Sequence, residues 1–238
     1  MAINLKNWKM HLPIDSKGTK KGSAWQITNL IGFNYSPYFI QNNDGSLTFS
    51  APVDGARTSS NTKYARSELR EMKLTSNGSQ GSEADWQLKT GGTMNVSLQV
   101  DRVPTLKGGK PGHIVIGQIH GASDELVRLY REGDGTINFH CDKAGPKNKE
   151  LVYQPIDANG NKPNVSLGER FSYHINATAT KVNVQVVADG KTYSVSFTPN
   201  SVWAKDKFYF KAGIYLGVNA SQGTGDGQVK IYDVTVSH

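Results

Sequence analysis

The feature that most constrains this chain is a period of two that keeps returning between closely spaced turns. In Met94-Asn95-Val96-Ser97-Leu98-Gln99-Val100-Asp101 apolar and polar residues alternate without a break. A strand sorts such a run into one buried and one wet face, whereas a helix scatters it around its axis. Residues 181–187 begin the same way, and Asp189-Gly190 then turns the chain into 192–197, a hairpin signature. Segments 126–131 and 136–141 flank Glu132-Gly133-Asp134-Gly135 as a second hairpin, and 229–236 reads as a last strand. Helical periodicity is weak, with short helical turns expected only over 22–30 and 201–205. Twenty-five glycines and nine prolines break the chain at intervals that suit an antiparallel sandwich. No repeat, linker or shift of composition divides it. The expectation is an all-β, jelly-roll β-sandwich of two antiparallel sheets, one domain over 1–238.

A chain of 238 residues buries enough surface to stand without disulfides, and its one cysteine cannot form one internally. Cys141 follows Phe139 and His140 in an apparent strand, where a buried, inert thiol is expected. The opening Met1-Ala2-Ile3-Asn4-Leu5-Lys6 lacks the charged head and apolar run of a leader, and no stretch approaches a membrane span. A mature, soluble protein is expected, secreted or periplasmic, with any leader already absent. The formal net charge of +7 and pI near 9.3 favour an anionic partner. The charge forms no terminal block or basic helix, which weakens nucleic acid and membrane surface relative to acidic polysaccharide without choosing among the three.

Three segments depart from ordinary strand chemistry. In Arg66-Ser67-Glu68-Leu69-Arg70 two guanidiniums and a carboxylate share one face of a strand. His113-Ile114-Val115-Ile116-Gly117-Gln118-Ile119-His120 starts as an apolar run and ends with Gln118 and His120 on one side. In Tyr209-Phe210-Lys211-Ala212-Gly213-Ile214-Tyr215-Leu216 the odd positions carry Tyr209, Lys211 and Tyr215, while Phe210, Ala212, Ile214 and Leu216 form an apolar face. Adjacent, the three would merge into one polar floor suited to a carboxylated chain.

The chemistry of that floor narrows by elimination. The histidines are not paired as metal ligands are, and no nucleophile elbow is present. A glycosidase needs two carboxyls, one protonated. Glu68 reads as the only acid in the floor, held ionised by Arg66 and Arg70 and orienting both. Elimination remains. Removing the proton at C5 of a uronate builds charge on its carboxylate, which Arg66 and the Gln118 amide would neutralise. His120 and Tyr215 then handle protons, with the tyrosine expected to ionise readily beside Lys211 and the arginines. No cofactor and no metal are required.

These three blocks resemble, in order and content, the signature blocks of polysaccharide lyase family 7, the alginate lyases. Asn7-Trp8-Lys9 with Leu12-Pro13 is similar to that family's opening, so the resemblance spans nearly the whole chain. It implies a jelly roll with a concave cleft and β-elimination of the 1,4-linkage in alginate. It places Arg66, Gln118, His120 and Tyr215 in catalysis, with His120 as base for guluronate. It gives Glu68, Arg70, Tyr209 and Lys211 substrate-binding or supporting roles. Ile119, where valine is the alternative, leans toward guluronate-containing substrate, and an open trough suggests endo action by a monomer. One departure stands out: Gly217 occupies a position that is often glutamine. The competing readings are a non-catalytic module binding acidic polysaccharide, and a lyase for another polyuronate such as glucuronan.

Overall fold

The computed structural model describes residues 3–238. The alternating segments become strands whose burial follows their sequence: Gly92–Arg102 buries Met94, Val96, Leu98 and Val100 and turns Thr93, Asn95, Ser97 and Gln99 outward. Seven strands form one antiparallel sheet in the order Lys191–Phe197, Val182–Ala188, Arg170–Ala177, Gly92–Arg102, Asp226–Ser237, Leu47–Pro52 and Phe39–Gln41. The hairpin at Asp189-Gly190 forms as expected, with φ of 48° and 68°. Positive values at both positions are what a two-residue turn matching the strand twist requires.

A second antiparallel sheet packs across it. Its order is Leu151–Tyr153, Ile137–Cys141, Glu125–Arg131, Ile114–His120, Tyr209–Leu216, Arg66–Leu74, Trp8–His11 and Gln26–Ile27, with Gln80–Glu83 also pairing Arg66–Leu74. Leu98, Ile175, Val184 and Ile231 of the first sheet join Leu69, Ile116, Phe210 and Ile214 of the second in one hydrophobic cluster. Each such side chain contributes about 1.5–3 kcal/mol by leaving water. Tyr173 crosses the interface, donating to the Ile116 carbonyl (3.0 Å). Cys141 is fully buried, and burial pushes its thiol up to about 12, which makes it inert.

One expectation fails. Residues 22–30 form no helix: Ala24-Trp25 runs extended, with Trp25 N–H donating to Ile14 O (2.6 Å) and Leu12 N–H to Trp25 O (2.9 Å), and Gln26–Ile27 pairs Trp8–His11. Pairing of Gln26–Ile27 with the first strand, and burial of Ala24 and Leu30, override the weak helical pattern. Near 201–205 a single 3₁₀ turn, Ser201–Trp203, does form, capped by Asn200.

Candidate active site

The three unusual segments are adjacent strands at the centre of the second sheet. Tyr215 lies opposite Arg66, Gly213 opposite Glu68 and Lys211 opposite Arg70. On the other side Lys211 lies opposite Gln118, and Tyr209 opposite His120. Antiparallel register puts these groups on the face turned away from the core, while Leu69, Ile119, Phe210 and Ile214 point inward. The outer face is not a solvated strand surface. Arg66, Glu68, Arg70, Gln118 and Lys211 are each at most 8% exposed.

Glu68 is the centre of that floor. Its Oε2 accepts from Arg66 Nη1 (3.0 Å) and from Lys211 Nζ (2.5 Å), and its Oε1 accepts from Gln118 Nε2 (2.5 Å). Burial alone would raise this carboxyl, but the Lys211 and Arg66 charges and these hydrogen bonds outweigh it and hold it below its ordinary value. Burial and repulsion from Arg66 bring Lys211 down to about 8, still a cation at neutrality. The expected pairing is thereby corrected. Glu68 braces Arg66 and Lys211, whereas Arg70 turns away to Glu83 (3.1 Å) and the Glu71 carbonyl (2.8 Å) and lies over the Tyr209 ring (3.8 Å). Gln118 is wholly buried and spends its amide N–H on Glu68, and Arg66 Nε and Gln118 Oε1 are buried without a partner.

His120 and Tyr215 stand on either side of this cationic centre, His120 beyond the Gln118–Lys211 rung and Tyr215 beside Arg66. His120 stacks on Tyr209 (5.1 Å between centroids). Burial and Lys211 lower its pKa to about 4, so the imidazole is neutral, and its Nδ1–H donates to the Gly121 carbonyl (2.6 Å). Nε2 therefore carries the free lone pair. Tyr215 lies under Arg66, 4.0 Å from guanidinium carbon to ring centroid. Its expected ready ionisation is not found: burial raises the phenol, and Arg66 offsets only part of the rise. Tyr215 rests as a proton donor.

The floor also extends beyond what the sequence reading named. Lys9 and His11 lie opposite Arg70 and Glu68 on the first strand, both buried, with Lys9 held by Gln26 (2.7 Å) and Glu83. Their alternation with Trp8, Met10 and Leu12 was a legible signal. On the other flank Glu125 and Arg128 join the same face (2.9 Å apart), so Glu68 is not the only acid there. Three residues apart, they would face opposite ways in a regular strand. A register shift between Glu125 and Val127 brings them together. Among the described residues no group of three His, Cys, Asp or Glu side chains is placed to hold a metal ion.

Gly217 has a physical reason. A Cβ there would come 2.0 Å from Cδ2 of His113, so the His113 ring occupies the space that any side chain at 217 would need. That ring packs edge-on against Tyr130 (5.5 Å).

Comparison with known proteins identifies the family. The family model described as alginate lyase matches residues 3–238. A curated alginate lyase from Klebsiella pneumoniae is 33% identical over 99% of this chain and 90% of its own length. The crystal structure of the alginate lyase from Klebsiella pneumoniae superposes with a TM-score of 0.83 at 30% identity, covering 98% of this chain and 96% of that one. Family 7 alginate lyase A1-II′, in a form solved in complex with substrate (GGMG), gives a TM-score of 0.73 at 30% identity over 98% and 93% of the two chains. Jelly-roll fold and polar trough thus define a polysaccharide lyase. The chain belongs to the alginate lyase family, polysaccharide lyase family 7.

Proposed function

We propose that this chain, as one catalytic domain over 1–238, cleaves the 1,4-linkages of alginate by β-elimination in the trough above Glu68. The observation that carries the reading is the pairing of a neutral His120 and an un-ionised Tyr215 across a buried Arg66–Glu68–Lys211–Gln118 cluster. The uronate carboxylate lies against the Arg66 guanidinium, and Gln118 acts from beneath by steadying Glu68. Preorganised donors of this kind are worth about 2.7–4 kcal/mol each as charge develops. His120 Nε2 takes the C5 proton of a guluronate. The C5–H electron pair forms the C4=C5 bond, the C4–O bond breaks, and Tyr215 protonates the departing oxygen. Each proton-transfer role contributes roughly 10²–10⁴ in rate.

An open strand face, which does not select chain ends, supports endo action. The lean to guluronate-containing substrate rests on Ile119 and on the GGMG complex of the A1-II′ relative. Ile119 is fully buried beneath the floor, so it acts through the height of Gln118 and His120. A polymeric substrate favours a secreted or periplasmic location, and all site residues come from one chain, which supports a monomer. The test is the ultraviolet absorbance of the conjugated product on poly-guluronate, poly-mannuronate and mixed polymer, with product size followed in parallel. A rise on guluronate-containing polymer with early loss of chain length is expected. No rise on any of the three overturns the reading.

A further inference from the structure

Glu125 has no part in the elimination as derived above, yet it meets the atom that elimination depends on. Its Oε1 lies 3.4 Å from His120 Nε2, and both side chains are less than a fifth exposed. His120 has no freedom to offer the other nitrogen, because Nδ1–H is committed to the Gly121 carbonyl and the ring is stacked on Tyr209. A bare imidazole nitrogen facing a bare carboxylate oxygen places two lone pairs against each other. A proton on Glu125 turns that contact into a hydrogen bond.

The groups around Glu125 favour that proton. Burial raises the carboxyl first. The adjacent Asp142 carboxylate adds to the rise through a hydrogen bond and its charge, while Arg128 on its own strand and Lys211 from two strands away oppose it, leaving it at about 7. Asp142 accepts from the Glu125 backbone N–H (2.8 Å) and stays below its ordinary value. Glu150 draws Arg128 from the other side, and Lys143 pairs with Asp124 nearby. Tyr130 and Tyr215 both rest protonated on the same face. The usual order of the two side chains is thus inverted: the carboxyl keeps its proton at a pH where the imidazole has already lost its own.

We propose that Glu125 is a positioning residue that gates His120, engaging Nε2 through its carboxylic proton when protonated and releasing it when ionised. This rests on the elimination reading above. In the protonated form the lone pair needed for the C5 proton is occupied. Loss of that proton to solvent frees Nε2, and the carboxylate then steadies the imidazolium that forms when the C5 proton arrives on Nε2. Arg128 Nη1, 2.9 Å from Oε2, fixes which carboxyl oxygen faces His120.

Two variants separate gating from simple support. In Glu125→Gln the amide oxygen replaces Oε2 on Arg128 and the NH₂ faces Nε2 at every pH, so kcat on poly-guluronate should fall about 10²-fold on the alkaline side, with KM within about twofold. Glu125→Ala removes the gate. It should keep turnover within about tenfold of wild type while its acidic limb moves down by more than about one pH unit from the wild-type midpoint near 7. Equal losses in both variants, with an unmoved acidic limb, overturn the proposal and leave alginate cleavage standing. Failure of the wild type to cleave alginate fails the underlying reading instead. Independently of folding of the variants, the ¹⁵N resonance of His120 Nε2 in the wild-type protein without substrate should shift with a midpoint near 7. A resonance flat through that range overturns the gate.

Discussion

The two sheets bury their side chains by opposite means. In the seven-stranded sheet, strands such as Gly92–Arg102 and Val182–Ala188 bury one face and wet the other. In the second sheet, Arg66–Leu74 buries its first seven residues in succession, with Ser67, Leu69 and even the Glu71 carboxyl turned inward and Arg66, Glu68 and Arg70 turned outward. The first sheet is held by area removed from water. The outer face of the second is held by charges that shield one another, an arrangement whose desolvation cost commonly cancels its Coulombic gain. The difference teaches that the trough is a structural liability retained for what its groups do to a substrate.

Tyr215→Phe sharpens that contrast most. It should lower turnover by roughly 10²–10⁴, equivalent to about 2.7–5.4 kcal/mol of barrier, with melting temperature and polymer retention on an affinity gel nearly unchanged. Undiminished turnover would remove the phenol from the mechanism. Glu68→Gln attacks the charge cluster itself. It leaves Lys211 and Arg66 buried without their counter-charge and should cost about 3–5 kcal/mol of stability by denaturant titration, together with activity. A cost below about 1 kcal/mol would mean the cluster contributes no more than a surface pair.

Leu98→Ala probes the opposite sheet. The cavity should cost about 2–5 kcal/mol, yet turnover per folded molecule well below the melting point should stay at the wild-type level. Loss of specific activity there would show that the two sheets are not separable. The smallest effect is expected at His238, whose Nε2 meets the buried Glu71 carboxylate (2.6 Å). Burial lowers this imidazole, but the Glu71 bond outweighs it and the net shift is upward. A raised folded pKa stabilises fully below the unfolded value, and the gain is lost as pH rises through the folded one. His238→Ala should therefore cost about 1 kcal/mol in mildly acidic buffer and less in alkaline buffer, read as melting temperature against pH. An effect that grows with pH would contradict the assigned linkage.

How much of this was legible follows the same division. Alternation and turn chemistry located four of the seven strands of the regular sheet and the Asp189-Gly190 hairpin, but not Arg170–Ala177, Leu47–Pro52 or Phe39–Gln41. They misread 22–30, where contact with the first strand decides the backbone. In the trough, the eight residues named from three segments do share one face. Glu125 escaped because a bulge, invisible to a period of two, rotates it into place. The partner of Arg70 escaped because Glu83 comes from a strand whose adjacency no local pattern reveals. Tyr215 was assigned an easy ionisation because its cationic neighbours could be counted along the sequence while its burial could not.

The interlock of His113 with Gly217 has an evolutionary consequence. Neither position is free to drift alone: a longer residue at 217 collides with the imidazole, and trimming the imidazole first opens a gap beside Tyr130. Exchange between an amide-bearing and an imidazole-bearing end of the trough goes most easily through a paired change. Grafting glutamine onto 217 should therefore be tolerated best where the His113 ring swings aside or a small residue replaces it.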